Sequence, residues 1–139
     1  MTILHDRALR TTSVLERFRE KPFSWVTTAN CIHLGRAQLV AFDYAPPPIP
    51  MFRSPIGARR ALRKRGFDTM AALLDTMLAP IAPASMLLGD FALLPGLAPF
   101  QALGIYDGHG SVMCWHDIDL SRMLAIEVRK TDVLRAWRV

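Results

Sequence analysis

The chain has 139 residues, a formal net charge of +5 and a hydrophobic fraction of 51%. This length suits one domain with a substantial core, and the apolar content and moderate charge exclude intrinsic disorder. Net charge favours anionic neighbours but does not specify a fold. We expect a single domain over residues 1–139, in which residues 1–12 either extend the first helix or form an N-terminal arm.

No membrane span, leader or metal site is predicted. Residues 1–10 lack the apolar core of a signal peptide. The longest apolar stretch, Met86 to Tyr106, is interrupted by Asp90 and by Pro95 and Pro99, which predicts two strands joined by a turn. Two cysteines and four scattered histidines lack the clustering of a zinc site. We therefore expect a soluble protein without cofactor or metal.

The first third of the chain carries two helix-start signals. Ser13 and Glu16 have capping-box spacing, which predicts a first helix over residues 13–20. Asn30 is a good N-cap, so a second helix should begin at Cys31.

The remaining elements follow from prolines, glycines and a change of period. Residues 46–50 predict a stiff, extended surface loop. A third helix is predicted over residues 56–65, and a fourth should be capped by Asp68. Strands are predicted at residues 86–88, 91–94, 102–106, 112–115 and 124–128, with a hairpin turn at 107–110 and a terminal element at 133–139 that packs Trp137 on the core. Helices followed by strands indicate an α+β fold, with N-terminal helices packed on a C-terminal antiparallel sheet.

Cys31 is the first candidate for chemistry. A thiol in the first turn of a helix lies near unpaired amides, which lower its pKa and raise its thiolate fraction. This is where cysteine hydrolases place their nucleophile. The alternative is a small buried core residue, since cysteine is among the most buried residue types.

Short motifs on these elements carry a resemblance. Trp25 and Cys31 at a loop-to-helix junction, the Gly89-Asp90 pair and the run Leu-Gly-Ile-Tyr-Asp-Gly at 103–108 resemble the NlpC-type cell-wall cysteine peptidases, papain-like enzymes that cleave peptidoglycan stem peptides. Residues 15–139 are similar to a family of small proteins encoded among tail genes of bacteriophages and prophages. In that family an aromatic-Trp loop, an Asp-Cys pair, an Ala-Arg-Arg-Ala-Leu-Arg-like helix, a Gly-Asp strand and a final Ala-Trp-Arg-Val recur.

Two positions depart from the pattern that the resemblance implies. The peptidases place their catalytic histidine two residues before the glycine of Gly-Ile-Tyr, and here that position is Ala102. The aspartate before the cysteine is Asn30 here. Because a cysteine hydrolase needs a base within hydrogen-bond reach of sulfur, Cys31 is predicted to be a vestigial nucleophile.

His116 is the one serious candidate for a replacement base. It follows a predicted strand, close to where the peptidases place the residue that orients their histidine. A structural or surface role is its alternative. His33 lies two residues after Cys31, which puts it on a different side of the helix, and His109 belongs to an exposed turn.

A basic cluster is the second notable feature. It contains Arg59, Arg60, Arg63, Lys64 and Arg65. Such a cluster can bind nucleic acid or an acidic protein surface. Its alternative is a solvated helix face, and the cluster lacks the aromatic residues that stack on bases.

These observations lead to three hypotheses. The first is a structural component of a phage or phage-like tail, at the baseplate or tail tip, on a papain-like domain with a degenerate site. The resemblance then implies a location in the virion tail after synthesis in the host cytoplasm, with other tail proteins as partners of the basic cluster. The second is an active cysteine peptidase that opens peptidoglycan during genome entry. The third and weakest is a nucleic-acid-associated basic protein.

Overall fold

The fold is α+β, with helices first and an antiparallel sheet after them. A computed structural model describes residues 3–96 and 100–139, so Met1, Thr2 and the Pro99 end of the predicted turn lie outside the described residues. The α-helices of the described part are α1 (Ile3–Phe18), α2 (Cys31–Ala41), α3 (Pro55–Lys64) and α4 (Met70–Asp75). The strands are β1 (Ala79–Ile81), β2 (Phe91–Leu94), β3 (Ala102–Tyr106), β4 (Ser111–His116), β5 (Asp119–Glu127) and β6 (Arg135–Arg138).

The six strands form one sheet in the order β1-β6-β2-β3-β4-β5, and each neighbouring pair is antiparallel. The hairpin predicted at residues 107–110 joins β3 to β4, with Ile105 opposite Met113. Helices α1 and α2 pack together, and α2 lies on β3. The hydrophobic core includes Leu34, Phe91, Leu103, Trp115 and Trp137. The predicted α+β class and the burial of Trp137 are confirmed.

Helix α1 begins ten residues before the predicted capping box. Ser13 lies within the helix and is exposed, so the prediction of a helix start there is wrong. The buried face runs continuously through Arg7, Thr11, Val14, Leu15 and Phe18, at the spacing of one helical stripe. Residues 3–12 therefore extend the first helix, because tertiary contacts of its first turns outweigh the local capping signal.

The other helix starts are set by side-chain caps. Asn30 caps α2 as predicted, and its Oδ1 accepts the His33 N–H at 3.1 Å. Ser54 caps α3, which ends before Gly66 at φ +88°. The cap of α4 is Thr69, whose Oγ1 accepts the Ala72 N–H at 3.1 Å, so the prediction of Asp68 is wrong by one residue.

The strand predicted at residues 86–88 is absent from the described sheet. The Asp90 carboxylate accepts the Leu87 N–H at 2.8 Å, and the Asp90 N–H bonds back to the Leu87 carbonyl at 3.0 Å. These two bonds close a turn where a short apolar run predicts a strand. A strand that the sequence analysis did not predict is β1, which contains Pro80. A proline is tolerated there because β1 is an edge strand.

Both edge strands of the sheet are partly covered or interrupted. Pro80 in β1 lies opposite Trp137 of β6. At the other edge, the chain after α1 runs beside β5. The Phe23 N–H donates to the Leu120 carbonyl at 2.8 Å, and the Met123 N–H donates to the Arg19 carbonyl at 3.0 Å.

A buried carboxylate joins the two ends of the described chain. Asp90 is fully buried, and its Oδ1 accepts from Arg7 Nη2 at 2.7 Å and from the Val139 N–H at 3.0 Å. Arg7 also donates to the carbonyls of Leu88 and Val139. Arg138 Nε lies 2.9 Å from Oδ2 as an ion pair, outside hydrogen-bond geometry. Both oxygens are thus paired, as burial of a carboxylate requires.

Replacing Asp90 by asparagine is expected to lower the free energy of unfolding by about 3 kcal/mol, because the amide leaves the buried Arg7 charge uncompensated and directs an N–H at a donor. Urea denaturation measures the change. Asp43→Asn is the matched control: Asp43 pairs with Arg10 at the surface and has φ +66°, which asparagine tolerates. The control should change stability by less than about 1 kcal/mol, and equal effects of the two variants would contradict the prediction.

Candidate functional site

Cys31 lies where the sequence predicted it, at the first position of α2 against β3. Its side chain is buried, with 1% of the residue exposed. The backbone amides of Leu103, Cys31 and Ile32 act on the thiol and lower its pKa. Helix α2 approaches β3 closely, since a Cβ on Gly35 would lie 3.1 Å from Leu103 Cδ2. The glycine thus lets the first turn of α2 reach the strand that carries Ala102.

Burial dominates the titration of this thiol. Loss of solvent raises the pKa of Cys31 to about 11, and the three backbone amides lower it by less than burial raises it. Burial raises the pKa of the neighbouring Cys114 to about 12, with the proximity of Cys31 as a second cause. Both thiols are protonated near neutral pH. The helix N-terminus acts on Cys31 in the predicted direction, but it does not produce a thiolate.

Ala102 is the residue at which the sequence resemblance implied a catalytic histidine. It is fully buried at the start of β3, opposite Leu94 of β2 and next to Leu103, whose amide faces the thiol. A methyl group there can neither accept nor donate a proton.

The histidines are engaged elsewhere. His116 Nδ1 accepts the Ile118 N–H at 3.2 Å, and its ring lies near Gly96 and Asp117 at the end of β4. His33 Nδ1 is 3.0 Å from Asn30 Oδ1, and its ring packs on Phe52. His109 is exposed in the β3–β4 turn. Over residues 3–96 and 100–139, no imidazole lies within hydrogen-bond distance of Cys31 Sγ.

An apolar cavity lies on the outer side of Cys31, and sequence reasoning missed it. Its volume is about 110 Å³. It is enclosed by α2, by α3 and α4, and by residues 46–50, which we call the proline strap. Apolar side chains make most of the lining, including Cys31, Leu39, Ala61, Leu74 and Leu103. The sequence predicts both α3 and α4 as helices, but a helix prediction cannot show that they leave this space unfilled.

Two arginines at this cavity hold the proline strap. Arg65 Nη2 donates to the Pro48 carbonyl at 2.7 Å, and Arg36 Nε donates to the Pro47 carbonyl at 3.4 Å. Proline carbonyls have no intrastrap partner amides, so these guanidinium groups satisfy them. Arg36 and Arg65 both line the cavity.

The basic cluster lies on α3 and the residue after it. All five side chains, those of Arg59, Arg60, Arg63, Lys64 and Arg65, belong to exposed residues. None of them pairs with an acidic side chain in the described part of the chain. Arg60, Lys64 and Arg65 line a second depression, which shares Pro50, Ala61 and Arg65 with the apolar cavity.

Neither a metal site nor a membrane span is found among the described residues. No group of three or more His, Cys, Asp or Glu side chains could hold a metal ion. No described helix is long and apolar enough to cross a membrane.

The chain belongs to the family described as "Domain of unknown function (DUF6950)", whose sequence pattern matches residues 3–139. No curated protein matches the chain.

Cys31 should alkylate slowly at neutral pH because its thiol is buried and its pKa lies near 11. With iodoacetamide at pH 7.5, the native residue should react at least about 100-fold more slowly than the same residue in denatured protein. Mass spectrometry of one digest reports Cys31 and Cys114 separately. The rate should keep rising up to pH 10, and an inflection below the ordinary thiol pKa would contradict the assignment.

His33 should make the fold sensitive to mild acid. Burial lowers the pKa of His33, and Arg36 adds to this effect. Because the folded pKa lies below the unfolded value near 6.5, the unfolded state binds the proton first, and stability falls as pH drops through and below 6.5.

Melting temperatures at pH 7.5 and 5.5 measure this loss. His33→Gln should lose less stability between the two pH values than the wild type. His109→Gln, in the exposed turn, should behave as the wild type does. A wild-type loss that persists unchanged in His33→Gln would assign it to another group.

Proposed function

We propose that this protein is a structural, partner-binding component of a bacteriophage or phage-like tail, at the baseplate or tail tip. In this proposal it is built on a papain-like, NlpC-type domain whose cysteine site is not catalytic. The resemblance of its motifs to proteins of phage tail gene clusters supports the tail assignment. The placement of Cys31 at a helix start against the strand of Ala102 supports the papain-like assignment.

The surroundings of Cys31 are the observation that carries this proposal. A cysteine hydrolase uses its base twice: it takes the thiol proton, and it later protonates the leaving amine. Here the thiol is buried with a pKa of about 11, and the position of the base is the methyl group of Ala102. The three amides at the sulfur resemble the donors that stabilise a developing anion, but without a base they have no reaction to assist.

A peptidase remains the rival, and it makes different demands. His116 is held by the Ile118 N–H at the end of β4, so it would have to leave that contact and reach the sulfur. The thiol would also have to become accessible. A partner chain could supply the base instead of His116. That base could reach the buried thiol only if the proline strap or α2 moved.

The proline strap and α3 form a surface that is suited to partner binding. The proline strap is rigid, so it loses little conformational entropy on association. Beside it, α3 presents cations that form no ion pair within residues 3–96 and 100–139, and arginine forms bidentate pairs with carboxylates. Met51 and Ile56 are 90% and 70% exposed in the same region, and apolar side chains of this kind favour a protein partner over nucleic acid.

Reversing three charges on α3 should weaken assembly with tail partners. The variant Arg59→Glu, Arg60→Glu, Arg63→Glu should enter particles at least about tenfold less well while the isolated protein keeps its melting temperature, since exposed charges contribute little to stability. Incorporation is measured by quantitative mass spectrometry of purified particles.

The control reverses three other exposed charges, with Arg19, Arg122 and Arg129 replaced by glutamate. It has the same net charge as the test variant and should enter particles normally. Normal incorporation of the test variant would overturn the docking role of α3. Cleavage of purified muropeptides that is lost in Cys31→Ala would overturn the non-catalytic assignment.

A further inference from the structure

The geometry points to an anchor site for one apolar side chain of an acidic partner peptide, in the cavity beneath the proline strap. This inference rests on the proposed function, because it specifies the chemistry of the partner that the α3 surface receives. The ligand class is a segment with a leucine-sized side chain next to aspartate or glutamate.

The size and chemistry of the cavity define the anchor. At about 110 Å³, it is somewhat smaller than an engineered apolar cavity of about 150 Å³ that holds benzene. One branched aliphatic side chain therefore fits, whereas a long acyl chain does not. Its walls offer Leu39, Leu74 and Met77, with the neutral thiol of Cys31 among them. The lining arginines, Arg36 and Arg65, already donate to carbonyls of the strap.

The second depression defines the flanking residues. Arg60, Lys64 and Arg65 line it, and it meets the apolar cavity along Pro50 and Ala61. These cations have no acidic partner in the described part of the chain. An apolar cavity bordered by unpaired cations is complementary to an apolar side chain flanked by carboxylates.

The border between the two depressions also gives the direction of approach. Arg65 already donates to the Pro48 carbonyl through Nη2, and the guanidinium group has further donors for a carboxylate. Met51 and Ile56 stand exposed nearby and can cover the peptide backbone on either side of the anchor. A peptide bound in this way contacts the strap and α3 together, and its anchor side chain reaches Leu103 of β3.

The test is an NMR titration of the isolated protein with a synthetic peptide, acetyl-Gly-Asp-Glu-Leu-Glu-Asp-Gly-amide. We expect saturable amide shifts at Met51, Ala61 and Lys64. A peptide with serine in place of leucine, and one with the acids replaced by their amides, should each bind at least about tenfold more weakly.

Variants locate the site in the protein. Ala61→Leu fills the cavity and should reduce affinity at least about tenfold, whereas Ala125→Leu on the exposed face of β5 should not. Lys64→Glu, a surface change that leaves the core intact, should also reduce affinity, and Arg19→Glu should not.

Three results would overturn the anchor site: equal binding of the serine peptide, shifts confined to other surfaces, or displacement of the peptide by equimolar octanoate, which would indicate a small-molecule ligand. A flat titration overturns it whatever the particle experiment gives. Conversely, normal incorporation of the triple variant would overturn tail docking through α3 without affecting a saturating titration.

Discussion

The buried carboxylate of Asp90 is the interaction on which the arrangement of the chain depends. A charge in the interior is unfavourable unless it is paired and hydrogen-bonded. Asp90 meets this condition only when α1 brings Arg7 to it and β6 brings the Val139 N–H. Gln38 of α2 reaches the same corner, donating to the Gly89 carbonyl at 3.0 Å. This hydrogen bond of Gln38 holds α2 beside the Asp90 pairing. It thereby helps to fix the position of the thiol at the start of α2.

The thiol shows how two effects of one location compete. Unpaired amides at a helix start stabilise a thiolate, and the amides of Cys31 and Ile32, together with that of Leu103 in β3, lower the pKa of Cys31. Close packing of α2 on β3 removes the solvent that a thiolate also needs, and this effect is larger. Papain-like chemistry needs the first effect together with an imidazole that compensates for the second. In this chain Cys31 keeps a neutral side chain, which lies in the wall of an apolar cavity.

Local chemistry made part of this structure predictable. Asn30 caps α2 as predicted. The apolar runs at 91–94 and 102–106 are strands, and the order of helices and strands indicates the α+β class. Predictions failed where distant residues decide the outcome. Arg7 and Thr11 fix the early turns of α1 on partners far along the chain, and the Asp90 side chain turns residues 86–88 away from the sheet. The sequence allows a buried Cys31 as the alternative to a reactive thiol, and Cys31 is buried. The unfilled space beside it depends on how three helices meet.

The two edges of the sheet have a consequence for polymerisation. In the repeating tail assembly proposed above, an open strand edge would let copies add side by side without limit. Here Pro80 removes a donor from one edge strand, and residues 19–23 occupy part of the backbone of β5 at the other. Lateral growth into a fibre is disfavoured at both ends of the sheet. In such an assembly the number of copies of this chain would be set by contacts with neighbouring proteins. The partly blocked strand edges disfavour backbone pairing with a further copy.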